Sequence, residues 1–158
     1  MSRIICDYPQ NYFISSGVGV AEYKLISFDN ALIDAGISNY NLLRVSSILP
    51  IGCTKAEKVD VKYGSPLLVA YGEISSNQIG ERVSSAISIA IPDNNTDIGI
   101  IMEYAGVCEE KEALDIVQEM AERAMKNHGI STKEIVLSSQ SAIVTNGYTT
   151  VISAVSLW

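Results

Sequence analysis

The run from Val83 to Ile91 constrains this chain more than any other stretch. Val83, Ser85, Ile87, Ile89 and Ile91 alternate with Ser84, Ala86, Ser88 and Ala90. Alternation of period two specifies a β-strand, and here large side chains take one face and small ones the other. Such a strand is pressed between two layers, its small face letting one layer approach closely.

A helix able to form one of those layers follows. Glu109 to Asn127 carries Leu114, Val117, Met120, Ala121, Ala124 and Met125 at i, i+3, i+4 spacing, an apolar stripe along one side. Acidic residues crowd its first turn and Gly129 stops it, in keeping with the helix dipole and a glycine C-terminus. Further strands are expected at Tyr12 to Val20, Asn41 to Leu49, Leu67 to Ile74 and Ile98 to Tyr104. A shorter helix is expected over Asp29 to Ile37, with Ser27 or Asp29 as its cap and Gly36 near its end. Pro92-Asp93-Asn94-Asn95 reads as a turn, Asn146-Gly147 as a hairpin, and Pro50 to Pro66 as the main loop. The order is β-α-β-β followed by β-β-α-β-β. Few helices among many antiparallel strands imply an α+β fold, a layered α/β/β/α sandwich. The similar order of the halves admits an internal duplication of a β-α-β-β unit.

With 158 residues, 47% of them hydrophobic, the chain makes one domain, 1–158, with a substantial core. A charged fraction of 18% leaves little polar surface to cover a monomer, so oligomeric faces are expected. The net charge of −7 argues against nucleic acid, whose phosphates call for clustered Lys and Arg. Cys6, Cys53 and Cys108 are scattered, and His128 is the only histidine, too few ligands for a structural zinc site. No metal is therefore expected, and the free thiols suit a reducing compartment. No basic-then-apolar leader opens the sequence, and no apolar run reaches the roughly 18 residues of a membrane span. These features point to a cytoplasmic protein with no membrane partner.

Several kinds of chemistry are excluded. Ser-His-Asp and Cys-His engines need an imidazole base, and His128 sits where it serves the C-terminal dipole of the long helix. There is no GxxxxGK[ST] phosphate loop, and Gly17-Val18-Gly19 lacks a third glycine. Three other sites remain. Ser-Ser occurs five times, at 15–16, 46–47, 75–76, 84–85 and 138–139. Small residues in tight layers account for most of them. The 46–47 pair differs in lying at the end of NLLRVSSILP, where Pro50 forces a turn and a serine hydroxyl can be aimed at its own preceding carbonyl. Glu103 stands in the strand-like IIMEY, either facing solvent by alternation or desolvated as an acid of raised pKa. Asp29 either caps a helix or grips a cationic substrate. None of the eight tyrosines is assigned a role.

Together these residues resemble the pyruvoyl-dependent arginine decarboxylases. The matching text is FDNALIDAGISNYNLLRVSSILP (Phe28 to Pro50), VAYGEI (Val69 to Ile74), GERVSSAISIAIP (Gly80 to Pro92), GIIMEYAG (Gly99 to Gly106) and the closing SAVSLW. Ile51 to Pro66 resembles the family least. The resemblance implies self-cleavage into 1–46 and 47–158. The Ser47 hydroxyl attacks the Ser46 carbonyl, the ester eliminates, and the residue left at 47 becomes a pyruvoyl group with loss of ammonia. That group, in place of pyridoxal phosphate, forms a Schiff base with L-arginine and yields agmatine and CO2, a step of polyamine biosynthesis. By the same resemblance Glu103 is the proton donor and Asn41, in Asn39-Tyr40-Asn41-Leu42, polarises a carbonyl. Asp29, with Ser46 also at the substrate site, pairs with the guanidinium. Lysine or ornithine as substrate, or an uncleaved, inactive paralogue serving as an oligomeric binding or structural subunit, are the competing readings.

Asn41 and Ser47 are six positions apart, a gap of roughly 20 Å if the strand stays extended. They are thus expected to share a face without touching, and the active site to be completed across a subunit interface. The family's trimers and hexamers agree with that expectation.

Overall fold

The computed structural model describes residues 8–158, so Cys6 and the N-terminal stretch read for a leader lie outside the described residues. Its elements, in chain order, are β1 (Asn11–Ala21), α1 (Lys24–Asp34), β2 (Asn41–Arg44), β3 (Ile48–Leu49) and β4 (Thr54–Lys55). They continue with β5 (Pro66–Ser76), β6 (Arg82–Pro92), β7 (Gly99–Val107), α2 (Glu110–His128), β8 (Thr132–Ile143) and β9 (Tyr148–Leu157). A five-stranded sheet runs β2-β5-β9-β1-β4 and a four-stranded sheet β3-β7-β6-β8. The sheets face each other, α1 covers β1 and β9 on one outer side, and α2 covers β6, β7 and β8 on the other. This is the expected α/β/β/α sandwich. Strand pairs are antiparallel except β1 with β4 and β2 with β5.

The alternating run is β6, buried on both faces. Ile87 and Ile89 point between the sheets, among Tyr12, Leu49, Ile101, Val155 and Leu157. Its small face meets α2: Ala86 packs on Ala113 and Val117, and Ala90 on Ala121 and Met125. Ser88 donates a 2.8 Å hydrogen bond to the Val117 carbonyl, so the gap is one hydroxymethyl deep. The buried stripe of α2 is Ala113, Val117, Ala121 and Met125. Leu114, Met120 and Ala124 lie partly buried at its margins.

Serines, unexpectedly, also bind the two sheets to each other. Ser85 donates to the Gly72 carbonyl at 2.7 Å, and Ser153 donates to the Ser85 carbonyl at 3.0 Å. The Ser16 and Ser138 hydroxyls meet at 2.7 Å. Each such bond is worth about 1 kcal/mol net, and an unpartnered buried hydroxyl costs more than that. Ser16, Ser85 and Ser138, each from a different Ser-Ser pair, are thus interlayer contacts as well as small residues in tight layers.

Four local expectations need correction. The first helix begins at Lys24, and neither Ser27 nor Asp29 caps it. Ser27 lies one turn inside, buried, its hydroxyl 2.7 Å from the Lys24 carbonyl and 2.6 Å from Thr150 Oγ1. Asp29 is mid-helix and exposed. The glycines at 17 and 19 explain this early start, because α1 lies directly on β1 there. A Cβ at Gly17 would collide with the Ala31 carbonyl, and one at Gly19 with the Ser27 carbonyl.

Second, Asn146-Gly147 is not a hairpin. It joins β8 of one sheet to β9 of the other, with Gly147 at φ 54°. A Cβ there would stand 2.6 Å from the Ala21 carbonyl, so the corner needs glycine for room as well as for conformation. Third, Asn41 to Leu49 is not one strand. Val45 still bonds Val69 of the first sheet (3.1 Å), whereas the Ser47 carbonyl accepts from Ile101 of the second (2.8 Å). The chain crosses between sheets over these residues, so Asn41 and Ser47 do not share a strand face. Fourth, the sheets are not consecutive halves, since β3 joins the second and β9 the first. The matching element order therefore does not extend to equivalent layers.

Candidate active site

The sheet crossing places Ser46 and Ser47 beside β7. Ser46 is exposed and Ser47 half-buried. In the other four Ser-Ser pairs at least one hydroxyl is engaged in the hydrogen bonding of the sandwich, through Ser16, Ser75, Ser84, Ser85 and Ser138 among others. Among the described residues neither hydroxyl of the 46–47 pair has a hydrogen-bond partner, so both remain free for other chemistry.

Glu103 lies two positions along β7 from Ile101, the residue whose amide holds the Ser47 carbonyl, a distance of about 7 Å along the strand. Period two sends its side chain to the same interlayer side as Ile101. Opposite stands Gly72 of β5, where a Cβ would come within 3.4 Å of the Glu103 Cβ. The missing side chain leaves a cleft of about 330 Å³ lined by Arg44, Gly72, Glu73, Glu103, Tyr104 and Ala105. Glu103 Oε2 is buried there without a hydrogen-bond partner. Burial pushes its carboxyl above the usual range, while the Arg44 guanidinium and then a backbone hydrogen bond pull the other way. Of the two readings open for Glu103, the desolvated one holds.

Arg44 ends β2 and spans the edge of the cleft. Its Nη2 donates to the Tyr71 carbonyl at 2.7 Å, and its Cζ lies 4.4 Å from the centroid of the Tyr71 ring. Sequence reasoning missed this residue. Its only signal was a cation inside an otherwise apolar strand, three residues before Ser47.

The remaining candidates stand apart from this cleft. Asn41, at the other end of β2, is exposed, and its Nδ2 donates to the Gly64 carbonyl at 2.8 Å. Asp29 is exposed on α1. The N-terminal part of that helix contributes Lys24, Leu25 and Phe28 to a neighbouring cleft that also includes Glu73 and Ser75. Glu73 borders both clefts. Of the free thiols, Cys53 is pushed up to about 11 by burial, which keeps it protonated and weakly nucleophilic. Among the described residues no group of three His, Cys, Asp or Glu is placed to hold a metal ion, and no helix is long and apolar enough to cross a membrane.

A sandwich of this arrangement is found in a pyruvoyl-dependent histidine decarboxylase. The two superpose with a TM-score of 0.51 over 65% of this chain and 54% of that one, so this chain spans about half its length. At 19% identity the likeness is one of fold. Sequence goes further: residues 11–158 match the family model of pyruvoyl-dependent arginine decarboxylase. The protein of that name from Methanococcus aeolicus is 39% identical over 154 residues, 95% of this chain and 90% of the relative. That from Methanocaldococcus jannaschii is 40% identical, over 77% and 73% of the two chains. That from Thermococcus kodakarensis is 36% identical, over 86% and 87%. The chain belongs to the pyruvoyl-dependent arginine decarboxylase family. It is thus a carboxy-lyase that works with a covalent pyruvoyl group in place of pyridoxal phosphate.

Proposed function

We propose that this chain cuts itself between Ser46 and Ser47 and, once cut, decarboxylates L-arginine to agmatine and CO2. One observation carries the reading: Glu103, with a buried carboxylate oxygen that has no partner, stands two residues along β7 from Ile101, whose amide holds the Ser47 carbonyl. The arginine decarboxylase names of the relatives support the substrate.

Processing needs a hydroxyl at 47. Ser47 Oγ attacks the Ser46 carbonyl carbon, and the peptide C–N bond breaks as the ester C–O bond forms. Elimination then breaks the Ser47 Cβ–O bond and frees residues 1–46 with a new carboxylate. Water adds to the residue left at 47, ammonia departs, and a pyruvoyl group heads 47–158. The unengaged hydroxyls of Ser46 and Ser47 suit this sequence, as does their position between two sheets that hold both flanks.

The pyruvoyl group supplies an electron-withdrawing carbonyl that accepts charge from the α-carbon as CO2 leaves. Glu103 then returns a proton to that carbon. A carboxyl held above its usual pKa by burial keeps a proton to give at cellular pH.

Within one protomer Asn41 and Asp29 lie outside the Glu103 cleft. A second copy would bring them to it, Asp29 taking the guanidinium and Asn41 a carbonyl. The outer face of α1 supports such an interface, since Tyr23, Leu25, Ile26 and Ile33 are 70%, 75%, 50% and 58% exposed. Apolar side chains so displayed beside Asp29 suit a face shared between copies, as in a trimer or a hexamer built from trimers. The free thiols Cys53 and Cys108 support a reducing, cytoplasmic setting.

The test measures CO2 release from arginine, lysine, ornithine, histidine and aspartate, alongside a denaturing gel. Arginine-dependent release from a two-band protein is the expected result. A single full-length band with no release would favour an uncleaved binding subunit. Release from lysine or ornithine in preference would reassign the substrate.

A further inference from the structure

Strand β2 is much shorter than its neighbour: it pairs with β5 only from Pro66 to Val69, and β5 runs on to Ser76. Arg44 extends along the edge that β2 leaves bare. Its guanidinium bonds the Tyr71 carbonyl and lies over the Tyr71 ring, two anchors on one residue. Arg44 also lines the Glu103 cleft. Yet the two charges do not pair. The ion pairs among the described residues are Arg82–Glu109, Lys111–Asp115 and Arg123–Glu119, and Glu103 Oε2 has no donor at all.

That arrangement is unusual for an arginine beside a buried carboxyl, because the bidentate pair is among the strongest contacts either group makes. We propose that Tyr71 restrains Arg44 at a stand-off from Glu103, making Arg44 a positioning charge for the proton donor without removing its proton. A direct ion pair would drive Glu103 to the carboxylate and leave no proton to donate. With no cation in the cleft, burial alone would hold the proton more firmly. The other neighbours of Glu103 are Tyr104, which follows it on β7, Ile87, which pairs with it from β6, and Gly72, which faces it from β5; Glu73, next to Gly72, also lines the cleft. Arg44 is therefore the cation that sets the balance. The inference rests on the reading of Glu103 as the acid of the proposed reaction.

The test is a carbon-13 NMR titration of the protein carrying glutamate labelled at Cδ, with the Glu103 signal identified by its loss in Glu103→Gln. In Arg44→Met the Glu103 midpoint is expected to move up, and in Arg44→Lys to stay near the parent value. In Tyr71→Ala, which frees the guanidinium to close on the carboxyl, the midpoint is expected to move down. Adding Arg44→Met to Tyr71→Ala should reverse that fall, which a merely structural role for Tyr71 would not do. Because Tyr71 also packs against the core on the α1 side, the exposed Arg44 variants carry the test if Tyr71→Ala does not fold. An unchanged midpoint in Arg44→Met, or an upward move in Tyr71→Ala, overturns the inference.

The pH dependence of CO2 release separates this inference from the functional reading. The alkaline limb of kcat should follow the NMR midpoint in each variant, with KM little changed. A midpoint that moves while the kcat limb stays put would remove Glu103 as the proton donor and leave the electrostatic relationship standing.

Discussion

The main-chain carbonyl of Ser47 accepts a 2.8 Å hydrogen bond from the amide of Ile101. Two residues earlier, Val45 is bonded to Val69 in the opposite sheet. The proposed scissile bond therefore lies in the short span that passes from one sheet to the other. Both flanks are held by main-chain bonds, which survive a change of side chain at 47.

Replacing Ser47 by alanine should accordingly leave the fold intact, within about 0.5 kcal/mol as for other substitutions away from the core, and abolish cleavage. A denaturing gel of Ser47→Ala is expected to show one band at full length, where the parent shows two. Hydrazine-reactive carbonyl should be absent from the variant. Two bands from Ser47→Ala would move the processing site elsewhere.

Glu103→Gln should be processed normally but turn over poorly. General acid catalysis is typically worth roughly 10²- to 10⁴-fold, and an amide has no proton of suitable acidity to replace it. The loss is expected in kcat. Measuring both parameters on fully cleaved protein checks it, and near-parental kcat would exclude the role.

Glu103 should also mark the pH dependence of stability. Its folded pKa lies above its ordinary value of 4.5, raised chiefly by burial. A carboxyl raised in the folded state contributes stability that is complete below the unfolded pKa and is lost as pH rises through the folded one. Removing the ionisable group should thus raise Tm above that window and not below it. Thermal unfolding of parent and Glu103→Gln at pH 4 and pH 8 tests the sign: the difference should appear at pH 8 and vanish at pH 4.

The glycines at 17 and 19 offer a purely structural prediction. A Cβ at Gly17 would overlap the Ala31 carbonyl of α1 and crowd Ala35. Overpacking of this kind costs about 1–3 kcal/mol. Gly17→Val should lower Tm through separation of α1 from β1, read by thermal unfolding. It should also weaken any assembly that uses the outer face of α1, read by light scattering. Unchanged stability would mean that α1 shifts freely on its sheet.

What the amino-acid sequence determined by itself lies where local pattern and burial coincide. The alternation of Val83 to Ile91 set β6 between two layers, and the spaced apolar residues of α2 set the layer that meets its small face. The text around Ser46-Ser47 and Glu103 carried the family. The tertiary structure decided what depends on which sheet a strand joins. The connection at Asn146-Gly147 has the residues of a hairpin, but β9 pairs with β5 and β1 rather than β8, because its buried faces are completed there. Asn41 to Leu49 is one segment in sequence and two strands in space, since the chain leaves β5 after Val45 and is held by β7 from Ser47. The meeting of Arg44, Tyr71 and Glu103 was likewise invisible, for it joins three strands at a bare sheet edge. Periodicity reports which face a side chain takes, whereas the partner across that face is chosen only when the layers close.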